Sequence, residues 1–150
     1  MGRDGGWLRM VRAYLVAIAA LNLVWEAAQL PLYRMSRRAG PRFLAAMLAE
    51  GLSGDVTIAG FALLAALVLA GEPAWPARAF ARVAVLATLF GAGYTVWSEW
   101  WHVHVLHEWS YGPAMPLLPP FGTGLSPFLE WVIPPPLAFL IARRVTDRAR

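Results

Sequence analysis

The side chains in this sequence that can do chemistry are few, and most recur at helical spacing. Asn22, Glu26 and Gln29 fall at i, i+4 and i+7; Glu50, Ser53 and Thr57 follow a similar spacing; Thr95, Glu99 and His102 again follow i, i+4 and i+7. Each set shares one face of a helix. Asp55 is rotated away from the second set and needs a partner on another helix. His104, His107 and Glu108 continue beyond His102, and Glu130 opens the last apolar stretch. The stretches Ala13 to Ala20, Ile58 to Ala70 and Val83 to Leu89 are nearly all apolar. Acids, amides and imidazoles are therefore expected to gather at one depth.

Two kinds of site fit these residues. Glu99-x-x-His102 puts a carboxylate and an imidazole on one helical face, and His104 and His107 add a second i, i+3 pair. Glu99, His102, His104 and His107 are thus candidate ligands for a divalent metal such as Zn, Fe or Mn. Di-metal bundles use two Glu-x-x-His pairs, so this set is half of one. The second kind is a metal-free acid/base site on a lipid-like substrate, with Glu26, Asp55 and Glu99 as catalytic carboxylates and Glu50 and Glu130 as further members. Ser53, Ser98 and Ser110 lie in no nucleophile motif, and the histidines crowd one helix end without the opposing partner that haem needs. The absence of cysteine excludes disulfides, thiolate zinc and iron–sulfur clusters. Plainer roles compete: Asn22, Glu26 and Gln29 as hydrogen-bonding glue between helices, Asp55 paired with Arg42, Glu130 held by a helix dipole, and His107 and Glu108 simply wetted. The alternative to an enzyme or metal-binding protein is an accessory or assembly subunit of a membrane complex, docked through its aromatic belt.

The elements that must position these groups are transmembrane. Of the 150 residues 59% are hydrophobic, and they come in blocks long enough to need lipid. The blocks predict one all-α domain, a four-helix transmembrane bundle with spans at about 7–30, 43–70, 79–105 and 127–142. Between the last two, Glu108 to Ser126 is rich in Pro, Gly and aromatics, which predicts a lid or re-entrant segment over the polar groups. Pro134-Pro135-Pro136 must kink or break the last helix. Arg3, Arg9 and Arg12 ahead of Ala17-Ile18-Ala19 resemble a signal peptide, but the apolar run continues past them, so a retained first helix is expected. The net charge of +4 comes from Arg without Lys. Nine Arg (3, 9, 12, 78, 82, 143, 144, 148 and 150) fall on the side of the termini and four (34, 37, 38 and 42) on the other. That bias predicts an inner-membrane protein with both termini cytoplasmic and its polar cluster facing the periplasm. The expected partner is the bilayer, with a lipid-like substrate or a membrane protein; the arginines answer to headgroups, and no nucleic acid is expected. Trp7 and Trp75 are expected to mark one interface, and Trp25, Trp97, Trp100, Trp101, Trp109 and Trp131 the other.

Several blocks carry a resemblance. Asn22-x-x-Trp25-Glu26-x-x-Gln29-Leu30-Pro31-Leu32-Tyr33, Gly54-Asp55, Ser98-Glu99-Trp100, Trp109-x-Tyr111-x-x-x-Met115-Pro116 and Gly122-x-Gly124-Leu125-x-Pro127 stand in the order found in a family of small uncharacterised bacterial multi-pass inner-membrane proteins. The chain is similar to that family over most of its length. It departs from the pattern at Glu50-Gly51, where the family has His-Cys, and at Glu130, where it has Gln. The resemblance implies a membrane fold and no particular activity.

Overall fold

A computed structural model describes residues 4–34 and 40–148. Arg3, Arg37, Arg38 and Arg150, which enter the charge bias, lie outside them. The chain is an all-α four-helix bundle, and all four helical units are long and apolar enough to cross a membrane. The first is α1 (Asp4–Gln29) with a 3-10 turn at Leu30–Leu32. The second is α2 (Pro41–Ala70), opened by Pro41 after Gly40 and closed by Gly71 in the left-handed region, where a residue without a Cβ ends a helix at least cost. The third is α3 (Phe80–Trp100), which widens into a π-helical turn over Trp101–Leu106. The fourth is broken into α4 (Leu125–Glu130) and α5 (Pro134–Arg148). The three prolines occupy the first turn of α5, where their missing N–H groups would have had no intrahelical acceptor. The break therefore falls at 131–133, just ahead of them.

Around the bundle α1 packs on α2 and α5, and α3 packs on α2, α4 and α5. At the end that carries the termini the core is apolar. Met10, Tyr14, Ala17 and Ile18 of α1 meet Ala138, Phe139 and Ala142 of α5, and Tyr14 stacks on Phe139 with centroids 4.2 Å apart. The buried stripe of α2 is Asp55, Ala59, Ala62, Leu63, Ala66 and Ala70; its small residues let the helices approach closely, as packing in lipid requires. Consequently Glu50, Ser53 and Thr57, expected to converge inward, lie on the exposed side of α2, and Asp55 is the inward acid. Trp131 and Trp75 depart from the expected belts too. Both are buried, and Trp131 fills the space over Gly91.

The lid is a short hairpin. β1 (Leu117–Leu118) pairs antiparallel with β2 (Thr123–Gly124), and Met115 is buried beneath. Its first half is fastened to the end of the first span. Tyr33 pairs with Tyr111, the Gly112 N–H donates to the Leu32 carbonyl at 2.6 Å and the Arg34 N–H to that of Ser110 at 3.0 Å. The Arg34 guanidinium donates to the Tyr111 carbonyl at 3.0 Å.

A Cβ on Gly91 would overlap the Trp131 ring, whereas one on Gly93 meets nothing within 4 Å. Gly91→Ala is expected to destabilise the bundle by about 1–3 kcal/mol. Gly93→Ala, inside α3 with open space around it, should hold Tm at or slightly above the wild-type value, since Ala favours the helix by up to about 1 kcal/mol, as thermal unfolding in detergent will show.

Candidate functional site

The site is built from one acid per helical unit. Glu26 lies in the last turn of α1, Asp55 midway along α2, Glu99 at the end of α3 and Glu130 at the end of α4, beside the break. One carboxylate oxygen each from Glu26, Asp55 and Glu130 lie within 4.8 Å of one another. Local sequence explains the approach. Gly51 leaves room for the Glu26 carboxylate, which occupies the position a Cβ there would take. Glu130 is brought inward because Trp131, next along the chain, is drawn into the core over Gly91.

An inner ring of amides and hydroxyls orients these acids. Gln29 Nε2 donates to Glu130 Oε2 at 3.1 Å, Ser126 Oγ donates to Gln29 Oε1 at 2.9 Å, and Trp25 Nε1 donates to the Ser126 carbonyl at 3.2 Å. The two residues of α1 thus hold α4 in place. Asn22 stands beside Asp55 at 0% exposure, with neither its amide N nor its O hydrogen-bonded. Asp55 Oδ2 and Glu130 Oε1 are buried and likewise unpaired. Among the described residues the ion pairs are His102–Glu108 and Arg143–Asp147, so no basic side chain neutralises the three acids; Arg42 does not reach Asp55. At an effective dielectric of ~20, two like charges ~4.8 Å apart repel by roughly 3–4 kcal/mol, and three such pairs by roughly 10 kcal/mol. Three bare carboxylates cannot persist there. Protons or a cation must share the space.

Glu99 adjoins this group under the lid. Tyr111 OH donates to Glu99 Oε2, Tyr33 OH approaches both Glu99 oxygens at 3.5 Å, and the Trp109 indole lies beside it. The histidines sit on the widened π-helical turn at the end of α3, each with contacts of its own, and His102 stays near enough to interact with the Glu99 charge. His102 Nδ1 donates to the Ser98 carbonyl at 2.7 Å. Its Nε2 lies 3.6 Å from Glu108, and its ring stacks on Trp109 at 4.5 Å. His107 Nδ1 donates to the Val103 carbonyl at 3.1 Å. His104 Nε2 faces Gly122 of the lid. Thus Glu26 and Asp55 come together with Glu130, Glu99 stands next to them with His102 as an electrostatic neighbour, and His104 and His107 make separate contacts. Tyr33, Tyr111 and Gly51 were not signalled by spacing. Only the folding of the lid onto the first link brings both phenols to Glu99.

The lid contacts carry a pH dependence. Burial, and then the Glu99 carboxylate, push the Tyr33 and Tyr111 phenols above their ordinary range. A group that holds its proton more tightly when folded gives its full contribution below the unfolded pKa, ~10 for a phenol, and loses it as pH climbs through the higher folded value. Protease cleavage within 112–124 is expected to stay slow to about pH 10 and to accelerate beyond it as tyrosinate absorbance grows. Tyr111→Phe removes a bond to a carboxylate, about 1.5–3 kcal/mol, and is expected to speed cleavage already at neutral pH; an unchanged rate would detach Tyr111 from lid closure. No family model, curated protein or solved structure matches the chain.

Proposed function

We propose that the chain is a multi-pass inner-membrane metalloprotein in which Glu26, Asp55 and Glu130 hold one divalent cation in the periplasmic leaflet. What carries this reading is the group of three acids within 4.8 Å, Asp55 and Glu130 buried and Glu26 partly so, with no basic partner among the described residues, beside a fully buried Asn22 whose amide is unpaired among them. A cation would relieve the repulsion, and the Asn22 carbonyl would give it a fourth oxygen. An all-oxygen donor set suits hard ions, so Mg²⁺, Ca²⁺ or Mn²⁺ fits better than Zn²⁺. Glu99, hydrogen-bonded to two phenols next to the cation, is the group available to take a proton from a ligand bound there. The helix break at 131–133 supports the same reading, since irregular backbone at membrane depth is tolerated where protein or a polar site covers it.

The membrane and the orientation rest on other observations. Helical bundles are one of the two structures that satisfy the backbone in lipid, closed barrels being the other and the rule in bacterial outer membranes. The Arg excess beside the termini favours cytoplasmic ends, which turns the lid and the acids toward the periplasm.

Protein purified without chelator and incubated with Mn²⁺, Mg²⁺ or Ca²⁺ is expected to hold about one cation per chain by elemental analysis. Glu130→Gln keeps an oxygen for Gln29 but removes the charge, and should raise the cation Kd at least tenfold, about 1.4 kcal/mol. In metal-free buffer the same variant should melt above the wild type, because less repulsion is buried. A wild type that binds none of the three ions would mean acids kept neutral as interhelical hydrogen-bonding groups. Orientation is tested apart from this: alkaline phosphatase fused to the C-terminus should be inactive, and an active fusion would reverse the assignment.

A further inference from the structure

The lipid-facing side of the bundle is not smooth. Between α2 and α3 it is indented by a cleft of about 440 Å³, lined by Thr57, Ile58, Phe61, Ala62, Ala65, Phe90 and Tyr94. We propose that this cleft is a slot for one hydrocarbon chain of a membrane lipid, and that it presents the polar end of that lipid to the acidic site. The second half of this statement rests on the proposed cation site; the first half does not.

Three observations support the occupant. The walls are Phe61, 69% exposed, and Phe90 and Tyr94, both partly exposed, on helices that cross the bilayer, so hydrocarbon is what surrounds them. The length suits part of one acyl chain: Thr57 to Ala65 spans eight steps, ~12 Å at ~1.5 Å per residue, and the cleft between these residues and Phe90 and Tyr94 holds about 440 Å³. The floor gives the direction. Asp55, Ile58 and Ala62 stand at i, i+3 and i+7, one face of α2, so a chain seated over Ala62 and Ile58 points toward Asp55. Above the slot an aromatic column continues along α3, Tyr94 to Trp97 at 5.6 Å and Trp97 to Trp101 at 6.2 Å, which suits the carbonyl and headgroup region of a lipid.

The test uses the full chain in vesicles containing phosphatidylethanolamine with a diazirine on one acyl chain. Photolabel is expected to concentrate on Phe61, Phe90 and Tyr94. Ala65→Trp, which fills the slot from its exposed side, should cut that label at least fivefold while leaving Tm and bound cation unchanged. Label spread evenly over all lipid-facing positions, indifferent to Ala65→Trp, would overturn the slot. So would efficient crosslinking of two chains through α2 and α3 with no lipid label between them. A headgroup-diazirine analogue should mark the lid and Trp97–Trp101; label confined to the opposite interface would overturn delivery to the site. Glu130→Gln should keep the acyl label, so a failure of the cation site and a failure of the slot read out separately.

Discussion

Three carboxylates within 4.8 Å of one another at membrane depth impose the constraint that organises this protein. Lipid offers nothing to solvate them, and placing even one charge at mid-span costs about 2.5–3.5 kcal/mol on insertion scales. The surrounding chain behaves accordingly. α1 turns Asn22, Glu26 and Gln29 inward, α4 is pulled against α1 by Trp25 and Gln29, and the lid closes over Glu99 through two phenols. None of these interactions neutralises charge. They fix oxygen atoms around a common point, which is what a cation site requires of its protein.

The break in the fourth span belongs to the same arrangement. A continuous helix from Leu125 to Arg148 would give Glu130 the direction set by the rest of that helix. Ending α4 at Glu130 and restarting at Pro134 uncouples the two directions. Trp131 then anchors the break in the cavity over Gly91, and the prolines begin α5 at positions where they cost little. Packing of Tyr14 and Phe139 at the other end fixes α5 independently. The bundle thus has an apolar half that holds the helices together and a polar half whose acids are placed with freedom.

The slot between α2 and α3 follows from residue size. Ala62 and Ala65 on one side face Phe90 and Tyr94 on the other, and nothing large enough fills the space between them. Small residues that allow close packing toward the core therefore leave an indentation toward lipid. Its floor residues Ile58 and Ala62 share one face of α2 with Asp55.

Hydrophobic block length and turn residues determined the fold class. Helices start or stop near Pro31, Pro41, Gly71 and the segment before Pro127, because the backbone in lipid must pair with itself and such residues interrupt that pairing, whereas the last helix runs on to Arg148, beyond the expected 142. Periodicity also put Asn22, Glu26 and Gln29 on one face. It misjudged Glu50, Ser53 and Thr57, since a stripe gives a face but not which face meets a neighbour; the small residues below Asp55 decided that. It also placed Glu99 and His102 on one face, and the two remain electrostatic neighbours in the structure. The pairing of Glu130 with Glu26 and Asp55, the phenols on Glu99 and the burial of Trp131 required contacts between residues tens of positions apart. Such contacts depend on which helices are neighbours and how far each is turned, and tertiary packing alone sets both.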